Sequence, residues 1–191
     1  MNKKLVLIGG IPGSGKTYIG KELAKKTGLL VDKDTISRFF TEKMLVALGS
    51  NADDRESDIY LSNVRDLEYK TMMKHAFENL KLGHNVLCSA PFIEEFVDKE
   101  WLDEMSFEAK LSDSEMIKIW IYVDLTTARK RLIERDASRD NWKLANWEKY
   151  VSNLPECAPE GEGVIVIDNT NTSEIRKLDI IDSVVKRILE N

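Results

Sequence analysis

Short runs of apolar residues recur along the chain, separated by longer segments in which apolar residues follow a helical spacing. Continuous apolar runs of this length are typical of strands that are buried on both faces of a sheet. The pattern predicts five such strands, at residues 5–8, 29–31, 85–90, 117–123 and 164–168. Because these strands alternate with helices, the sequence predicts an α/β fold with a parallel sheet covered on both faces.

Apolar residues three and four positions apart predict the helices between the strands. The main helical segments cover residues 16–26, 57–82, 126–135, 142–154 and the chain from Thr172 onward. On the long segment 57–82, the predicted buried face begins with Tyr60, Val64 and Leu67. The polar residues 136–141 predict little regular structure of their own.

Composition narrows the class of protein. The chain has 191 residues, 42% of them apolar, with no repeat or linker, so we expect one domain over residues 1–191. A formal net charge of −5 argues against a protein that coats nucleic acid. No run of 18 apolar residues occurs, so we expect a cytoplasmic protein without a membrane span. Two cysteines, Cys88 and Cys157, with two histidines argue against a zinc site or a disulfide framework.

The most specific motif follows the first predicted strand. Residues 10–17 fit G-x-x-x-x-G-K-[ST], with a strand before and a helix after, and read Gly10, Ile11, Pro12, Gly13, Ser14, Gly15, Lys16 and Thr17. Glycines let backbone N–H groups turn around a phosphate, and the helix start adds its positive end. Lys16 is expected to reach the β- and γ-phosphates of ATP, and Thr17 to place its hydroxyl on Mg²⁺. We call residues 10–17 the phosphate loop.

A second polar segment, "LVDKDTISRFF", leaves the second strand at the sheet edge where the phosphate loop begins. Ligands of open α/β sheets bind outside these carboxyl ends. Asp34 is therefore a candidate to accept a proton from, or to orient, an acceptor hydroxyl, and Arg38 to hold an anionic group of the acceptor. The alternative is that Asp34 only caps a helix and that Arg38 is solvated.

Three of the four arginines between the fourth and fifth strands are candidates for a lid over the nucleotide. Arg131 and Arg135 share one helix face, and Arg139 follows in a polar loop. Arginines that close over a phosphoryl group stabilise the charge that spreads over it, and a mobile lid excludes water. The alternative is an exposed, charged helix with Glu134 and Asp136 as partners.

Two further residues leave the choice open. Arg55 in "DDRESD" could face the acceptor or belong to an acidic helix start. Ser89 at the end of the third strand could touch substrate, or Pro91 could simply end that strand.

The whole pattern resembles the small P-loop kinases of the adenylate, shikimate and gluconate kinase fold, in the branch with chloramphenicol phosphotransferase, polynucleotide 5′-kinases and zeta-type toxins. The resemblance covers nearly the whole chain and rests on "GGIPGSGKT", "DKDTISR" and "RKRLIERDASR". It implies a three-layer P-loop NTPase with a five-stranded parallel sheet of order 2-3-1-4-5. It also implies a small arginine-containing lid at about residues 135–152 and acceptor-side helices at about residues 36–82 and 92–111.

The resemblance also implies roles for residues. The aspartate that matches Asp34 is the usual catalytic base of such kinases, and the arginine that matches Arg131 lies by the adenine. Those that match Arg135 and Arg139 reach the phosphates, and the segment "DNTNT", with Asn171, lines the adenine. The third strand ends in "CSAPF", without the acidic residue that many relatives carry for Mg²⁺, so Asp32 and Asp34 are the candidates for that role.

We therefore expect a phosphotransferase that uses ATP and Mg²⁺ to phosphorylate a hydroxyl of a small molecule. Lys16, Asp34, Arg135 and Arg139 are the expected catalytic residues, and Asp34, Arg38 and Arg55 the expected acceptor contacts. The same chemistry on a nucleic acid 5′-hydroxyl or a nucleotide-sugar is an alternative. The acidic charge argues against the polymer, as does the spacing of Asp34 and Arg38, one residue longer than in many polynucleotide kinases. A nucleotide-switched regulatory NTPase without an acceptor is a further alternative.

Overall fold

The computed structural model describes residues 3–155, 159, 163–171 and 173–190; Cys157 and Thr172 lie outside the described residues. Helices and strands alternate as the sequence predicts. They are β1 (Lys3–Gly9), α1 (Lys16–Thr27), β2 (Leu29–Asp32), α2 (Lys33–Ala47), α3 (Asp58–Asn63), α4 (Arg65–Lys81), β3 (Val86–Ser89), α5 (Lys99–Leu111), β4 (Ser114–Tyr122), α6 (Leu125–Arg135), α7 (Asn141–Ala145), α8 (Trp147–Val151), β5 (Val164–Asp168) and α9 (Glu174–Leu189). Among the helices of these described stretches, none combines the length and apolar character that a membrane crossing needs.

The five strands form one parallel sheet of order β2-β3-β1-β4-β5. The predicted order 2-3-1-4-5 is thereby confirmed. Residue Ile8 of β1 pairs with Ser89 of β3, and Gly9 pairs with Trp120 of β4. Because all strands run in the same direction, their carboxyl ends meet at one edge of the sheet, where the phosphate loop begins.

Helices cover both faces of the sheet, as the continuous apolar strands predict. Alternate residues of β1 point to opposite faces, since successive side chains of a strand alternate. Leu5 and Leu7 are buried against α4 and α5, whereas Val6 and Ile8 are buried against α1 and α9. The two apolar clusters hold the central strand rigidly, and the loop that leaves its carboxyl end starts from a fixed point.

The predicted helix over residues 57–82 is two helices, because the chain bends at Val64. The backbone of Val64 has φ −123° and ψ −45°, and it ends α3 and starts α4. The bend lets Tyr60 and Val64 pack against Leu45 of α2, while α4 runs along the sheet. Leu67, predicted on the same buried face as Tyr60, consequently turns outward and is 50% exposed.

The predicted lid also differs in detail from the sequence expectation. Residues 138–140 form one 3₁₀ turn where no regular structure was expected. The segment predicted as a helix over 142–154 consists of the two five-residue helices α7 and α8, which meet at Asn146. Helices of five residues have little stability alone, so their conformation depends on tertiary contacts.

Candidate active site

The phosphate loop adopts a conformation that only bare backbone permits. Gly13 has φ +85°, and a Cβ there would lie 2.7 Å from the carbonyl oxygen of Ala128. Gly15 has φ +92°, and a Cβ there would lie 2.5 Å from Nδ2 of Asn169. Both positions therefore need glycine, because the backbone has a positive φ and because a side chain would clash with its neighbours. Helix α1 begins directly at Lys16, so its free N–H groups face the loop.

Hydrogen bonds from Asn169 and Arg131 hold the phosphate loop in place. The buried Asn169, one residue beyond β5, donates a hydrogen bond of 2.7 Å from Nδ2 to the carbonyl of Ser14. Arg131 donates from Nη1 to the carbonyl of Gly13 (3.3 Å) and from Nη2 to the carbonyls of Asn169 (2.7 Å) and Thr170 (3.2 Å). Arg131 thus joins the phosphate loop to the segment predicted to line the adenine.

Asn169 is a residue that the sequence expectation missed. The prediction named Asn171 from the segment "DNTNT"; that residue is exposed, and its proposed place by the adenine stays a prediction. The signal was present, since Asn169 follows an apolar strand directly, and strand ends carry the functional groups of this kind of sheet.

Lys16 lies inside the loop. Its Nζ donates a hydrogen bond of 3.0 Å to the carbonyl of Ile11. Burial lowers the pKa of Lys16 to about 8, against the opposing charge of Asp34. The charges of Arg135 and Arg139 lower this pKa further. Lys16 is therefore electrostatically coupled to the three other predicted catalytic residues.

Thr17 and Asp32 are hydrogen-bonded to each other at the start of their helices. The hydroxyl of Thr17 donates to Oδ2 of Asp32 (3.3 Å), and Oδ1 of Asp32 accepts from the backbone N–H of Thr35 (3.1 Å) as the N-cap of α2. A hydroxyl and a carboxylate are the oxygen ligands that Mg²⁺ prefers. This pair could hold Mg²⁺ directly or through water.

Asp34 is not a helix cap, because Asp32 has that role. Its Oδ1 lies 3.2 Å from Nζ of Lys33, and its Oδ2 lies 2.7 Å from Nη1 of Arg139. Although burial alone would raise the pKa of Asp34, the charges of Lys33 and Arg139 lower it to about 2. The carboxylate is 45% exposed and fully ionised at neutral pH.

Behind Asp34 lies a buried polar cluster that sequence reasoning did not find. Glu68 of α4 is 3% exposed, and each of its oxygens accepts two hydrogen bonds. Oε1 accepts from Ser37 (3.0 Å) and Thr41 (2.5 Å), and Oε2 accepts from Lys33 (2.5 Å) and Tyr60 (2.7 Å). The charge of Asp34 helps to raise the pKa of Lys33, and the charge of Lys33 lowers the pKa of Asp34, so both groups stay charged.

Carboxylates hold two of the predicted lid arginines. Nε of Arg135 donates 2.9 Å to Oδ2 of the buried Asp140, and Nη2 donates to the same oxygen. Arg139 pairs with Asp34. Lys143 of α7 pairs with Glu56, which precedes α3, over 2.6 Å. The predicted lid therefore rests on the acceptor-side segments through two ion pairs.

The remaining predicted acceptor residues make contacts within their own segments. Arg38 points along the exposed face of α2 and pairs with Glu42 (2.7 Å). Arg55 donates to the carbonyls of Ala52 and Asp54 (2.9 Å each) and lies over the Tyr60 ring. Ser89 is buried at the end of β3.

The loop and its surroundings fit a magnesium nucleotide. Within the described residues, Ser14 Oγ and Asn169 Oδ1 are buried beside the loop and have no hydrogen-bond partner. The adjoining cations Lys16, Arg135 and Arg139 suit the charge of a triphosphate. The Thr17–Asp32 pair suits its metal ion.

Comparison with solved structures shows the same fold in enzymes. A protein of Chloroflexus aurantiacus that is assigned as a kinase is 21% identical, with a TM-score of 0.69 over 100% of both chains. A gluconokinase of Sinorhizobium meliloti is 12% identical, with a TM-score of 0.58 over 98% of this chain and 96% of that one. The APS kinase of Mycobacterium tuberculosis, solved with AMPPNP and APS, is 14% identical, with a TM-score of 0.55 over 100% and 99%.

Comparison at the level of sequence gives a family. No curated protein sequence matches the chain. A family model described as an AAA domain matches residues 6–149, which is more than half of the chain and includes the phosphate loop, Asp34 and the three arginines. The chain therefore belongs to this AAA-domain family, and its fold is that of the small P-loop kinases.

Proposed function

We propose that this protein is a kinase that transfers the γ-phosphate of ATP to a hydroxyl group of a small molecule. The observation that carries the proposal is the position of Asp34, an ionised and half-exposed carboxylate within electrostatic reach of Lys16 in the phosphate loop. Nucleotide hydrolases also carry a carboxylate beside the loop for their metal ion, and here that role is assigned to Asp32, which accepts a hydrogen bond from Thr17. Asp34 is a second carboxylate, held beside the loop by Lys33 and Arg139. A kinase needs it to orient its acceptor.

In this proposal the phosphate loop and Lys16 bind the β- and γ-phosphates. Thr17 and Asp32 hold Mg²⁺, which neutralises charge on the phosphate oxygens when it is bound. Arg131 and Asn169 fix the loop from the adenine side. Arg135 and Arg139 lie near enough to Lys16 to shift its pKa and are placed to neutralise the transferred phosphoryl group once they leave their carboxylates.

Asp34 acts mainly by orientation. With a pKa of about 2, it is a weak base toward an alcohol in the ground state. Phosphoryl transfer passes through a loose transition state, in which the attacking oxygen needs little loss of its proton before the bond forms. Asp34 therefore accepts the hydrogen bond of the acceptor hydroxyl, aligns the oxygen and takes the proton as the bond to phosphorus completes.

A transfer assay tests the proposal. γ-Labelled ATP and Mg²⁺ are incubated with the protein and pools of hydroxylated metabolites, antibiotics, nucleosides and 5′-hydroxyl oligonucleotides. We expect label on one pool of small molecules, lost in Asp34→Asn and retained in the surface control Asp66→Asn, whose side chain pairs with Lys70. Label on the oligonucleotides would replace the small-molecule acceptor, and ATP binding without any transfer would favour a nucleotide-switched NTPase.

A further inference from the structure

Two cations, Lys33 and Arg65, lie close to the ring of Tyr69 of α4 on the acceptor side of the site. Nζ of Lys33 lies 5.9 Å from the centre of the Tyr69 ring, and Cζ of Arg65 lies 4.7 Å from it. Lys33 contacts Asp34, and Arg65 contacts Glu95 in the segment after β3. Asp34 and a second carboxylate, Glu95, are therefore linked through Lys33, the Tyr69 ring and Arg65.

The cations on this side already have partners within the protein. Lys33, Arg65, Arg38 and Lys143 pair with carboxylates, Arg55 is bound by backbone carbonyls, and Arg139 is already assigned to the transferred phosphoryl group. A phosphate, sulfate or carboxylate group on the acceptor would have to break one of these ion pairs or displace the backbone carbonyls that hold Arg55. Breaking a buried pair such as Lys33–Glu68 leaves an uncompensated charge, which is strongly unfavourable.

Glu95 has the opposite property. It is 6% exposed, and its Oε1 accepts 2.7 Å from Nη2 of Arg65. Its Oε2 is buried and has no hydrogen-bond partner among the described residues. Burial raises the pKa of Glu95, against the opposing charge of Arg65. A buried acceptor without a donor is costly, and a hydroxyl or amine hydrogen from a ligand would remove that cost.

The segment that carries Glu95 reaches the phosphate loop. The carbonyl of Pro91 accepts 3.0 Å from the backbone N–H of Gly10, and the backbone N–H of Phe92 donates 3.3 Å to the hydroxyl of Tyr69. Phe92 has φ +49°, a conformation that a bulky residue rarely adopts. The chain after β3 is thus held against both the loop and Tyr69, and it brings Glu95 to the acceptor side.

We propose that the acceptor is a polyhydroxylated molecule without anionic groups, neutral or amine-bearing, and that Glu95 accepts a hydrogen bond from one of its hydroxyl or amine groups while Asp34 orients the reacting hydroxyl. This inference rests on the proposed kinase function and names the chemical class of its substrate. Arg65 holds Glu95 in position, and no cation of the protein pairs with the acceptor.

Matched acceptor pairs test the charge rule with the unmodified protein. Glucose is compared with gluconate, glucosamine with glucosamine 6-phosphate, and adenosine with AMP, beside a deproteinised metabolite extract. Labelled product is isolated and treated with phosphatase, and the charge of the released acceptor is measured. We expect a neutral or cationic acceptor, and at least a tenfold preference for the member of a pair without the anion. An anionic acceptor would overturn this inference and leave the kinase function intact, whereas transfer to nothing would overturn both.

A pair of variants tests Glu95 itself with the acceptor so found. Glu95→Gln keeps the shape and removes the charge, and Glu94→Gln is the matched control, since Glu94 contacts the same arginine with an exposed side chain. For Glu95→Gln we expect at least a tenfold rise in KM for the acceptor, with KM for ATP within twofold of the original. Glu94→Gln should change neither. An unchanged acceptor KM in a folded Glu95→Gln would overturn the assignment of Glu95.

Discussion

Nη1 of Arg139 lies 2.7 Å from Oδ2 of Asp34, across 105 residues of sequence. The predicted lid therefore reaches the residue proposed to orient the acceptor, and each neutralises the other. Arg139 can serve the transferred phosphoryl group only by leaving Asp34. The charge of a bound triphosphate would compete for Arg139 and free Asp34 for the acceptor, so nucleotide binding and acceptor binding are coupled through this pair.

Replacing Arg139 should lower the rate of catalysis without lowering the stability of the fold. Both side chains of the pair are more than a third exposed, so the ion pair contributes about 1 kcal/mol or less to folding. An arginine at a transferred phosphoryl group contributes roughly 10³-fold or more to kcat. We expect Arg139→Ala to lower kcat by at least about 100-fold with little change in the midpoint of urea unfolding. Arg129→Ala is the control, because Arg129 lies over the Trp147 ring on the outer side of α6; equal rates in the two variants would remove Arg139 from the mechanism.

Glu68 should matter for stability as well as for activity. Glu68→Leu leaves Lys33 buried without its main partner, and breaking such a pair costs about 3–5 kcal/mol. The double variant Lys33→Met with Glu68→Leu removes both charges, and we expect it to recover much of the free energy of unfolding. Urea unfolding of the four proteins of this cycle measures the coupling. The double variant should still lose transferase activity, because Asp34 has lost Lys33.

If the double variant is as unstable as Glu68→Leu alone, the cost does not come from the buried lysine. The hydrogen bonds from Ser37, Thr41 and Tyr60 would then be the main contribution of Glu68.

The affinity for ATP should depend on pH through Lys16. Its pKa of about 8 in the free protein is below the ordinary value, chiefly because of burial. Phosphates favour the charged ammonium, so binding raises this pKa and takes up a proton above pH 8. The affinity contributed by Lys16 is therefore constant well below pH 8 and falls as the pH rises above it, by up to about tenfold per unit.

Calorimetry in two buffers of different ionisation enthalpy measures that proton uptake. At pH 9 we expect uptake approaching one proton in the original protein and none in Lys16→Met, which should bind more weakly with a flat profile. A slope that persists in Lys16→Met would assign the titration to another group.

The sequence predicted the sheet because its strands carry continuous apolar runs, which few other structures accommodate. The bend at Val64 was missed because the apolar spacing of Tyr60 and Val64 continues without interruption into α4. The bend allows Tyr60 and Val64 to pack against Leu45 of α2, and local periodicity contains no information about that contact. Leu67 was placed inside for the same reason.

The candidate site divides in a similar way. Residues 10–17 are contiguous, and the meaning of their spacing is local. The partners that keep Asp34 ionised are distant in sequence. Arg139 is 105 residues from Asp34, and Glu68, which holds Lys33, is 35 residues from that lysine. Glu68 stands on a helix face otherwise occupied by buried residues, and this unusual position is the one signal by which it could have been found.

Asp32 offers a test of the metal site that separates charge from helix capping. Asparagine caps helices about as well as aspartate, so Asp32→Asn should keep the N-cap of α2 and lose the negative charge beside Thr17. Asp32→Ala removes both and should cost about 1 kcal/mol of unfolding free energy. We expect Asp32→Asn to unfold like the original protein, and to lose at least about tenfold of the increase in ATP affinity that Mg²⁺ provides.

Titration of ATP with and without Mg²⁺, read by calorimetry, measures this independently of turnover. If Mg²⁺ strengthens ATP binding equally in Asp32→Asn and in the original protein, Asp32 is only a helix cap, and the metal is held by Thr17 and the phosphates alone.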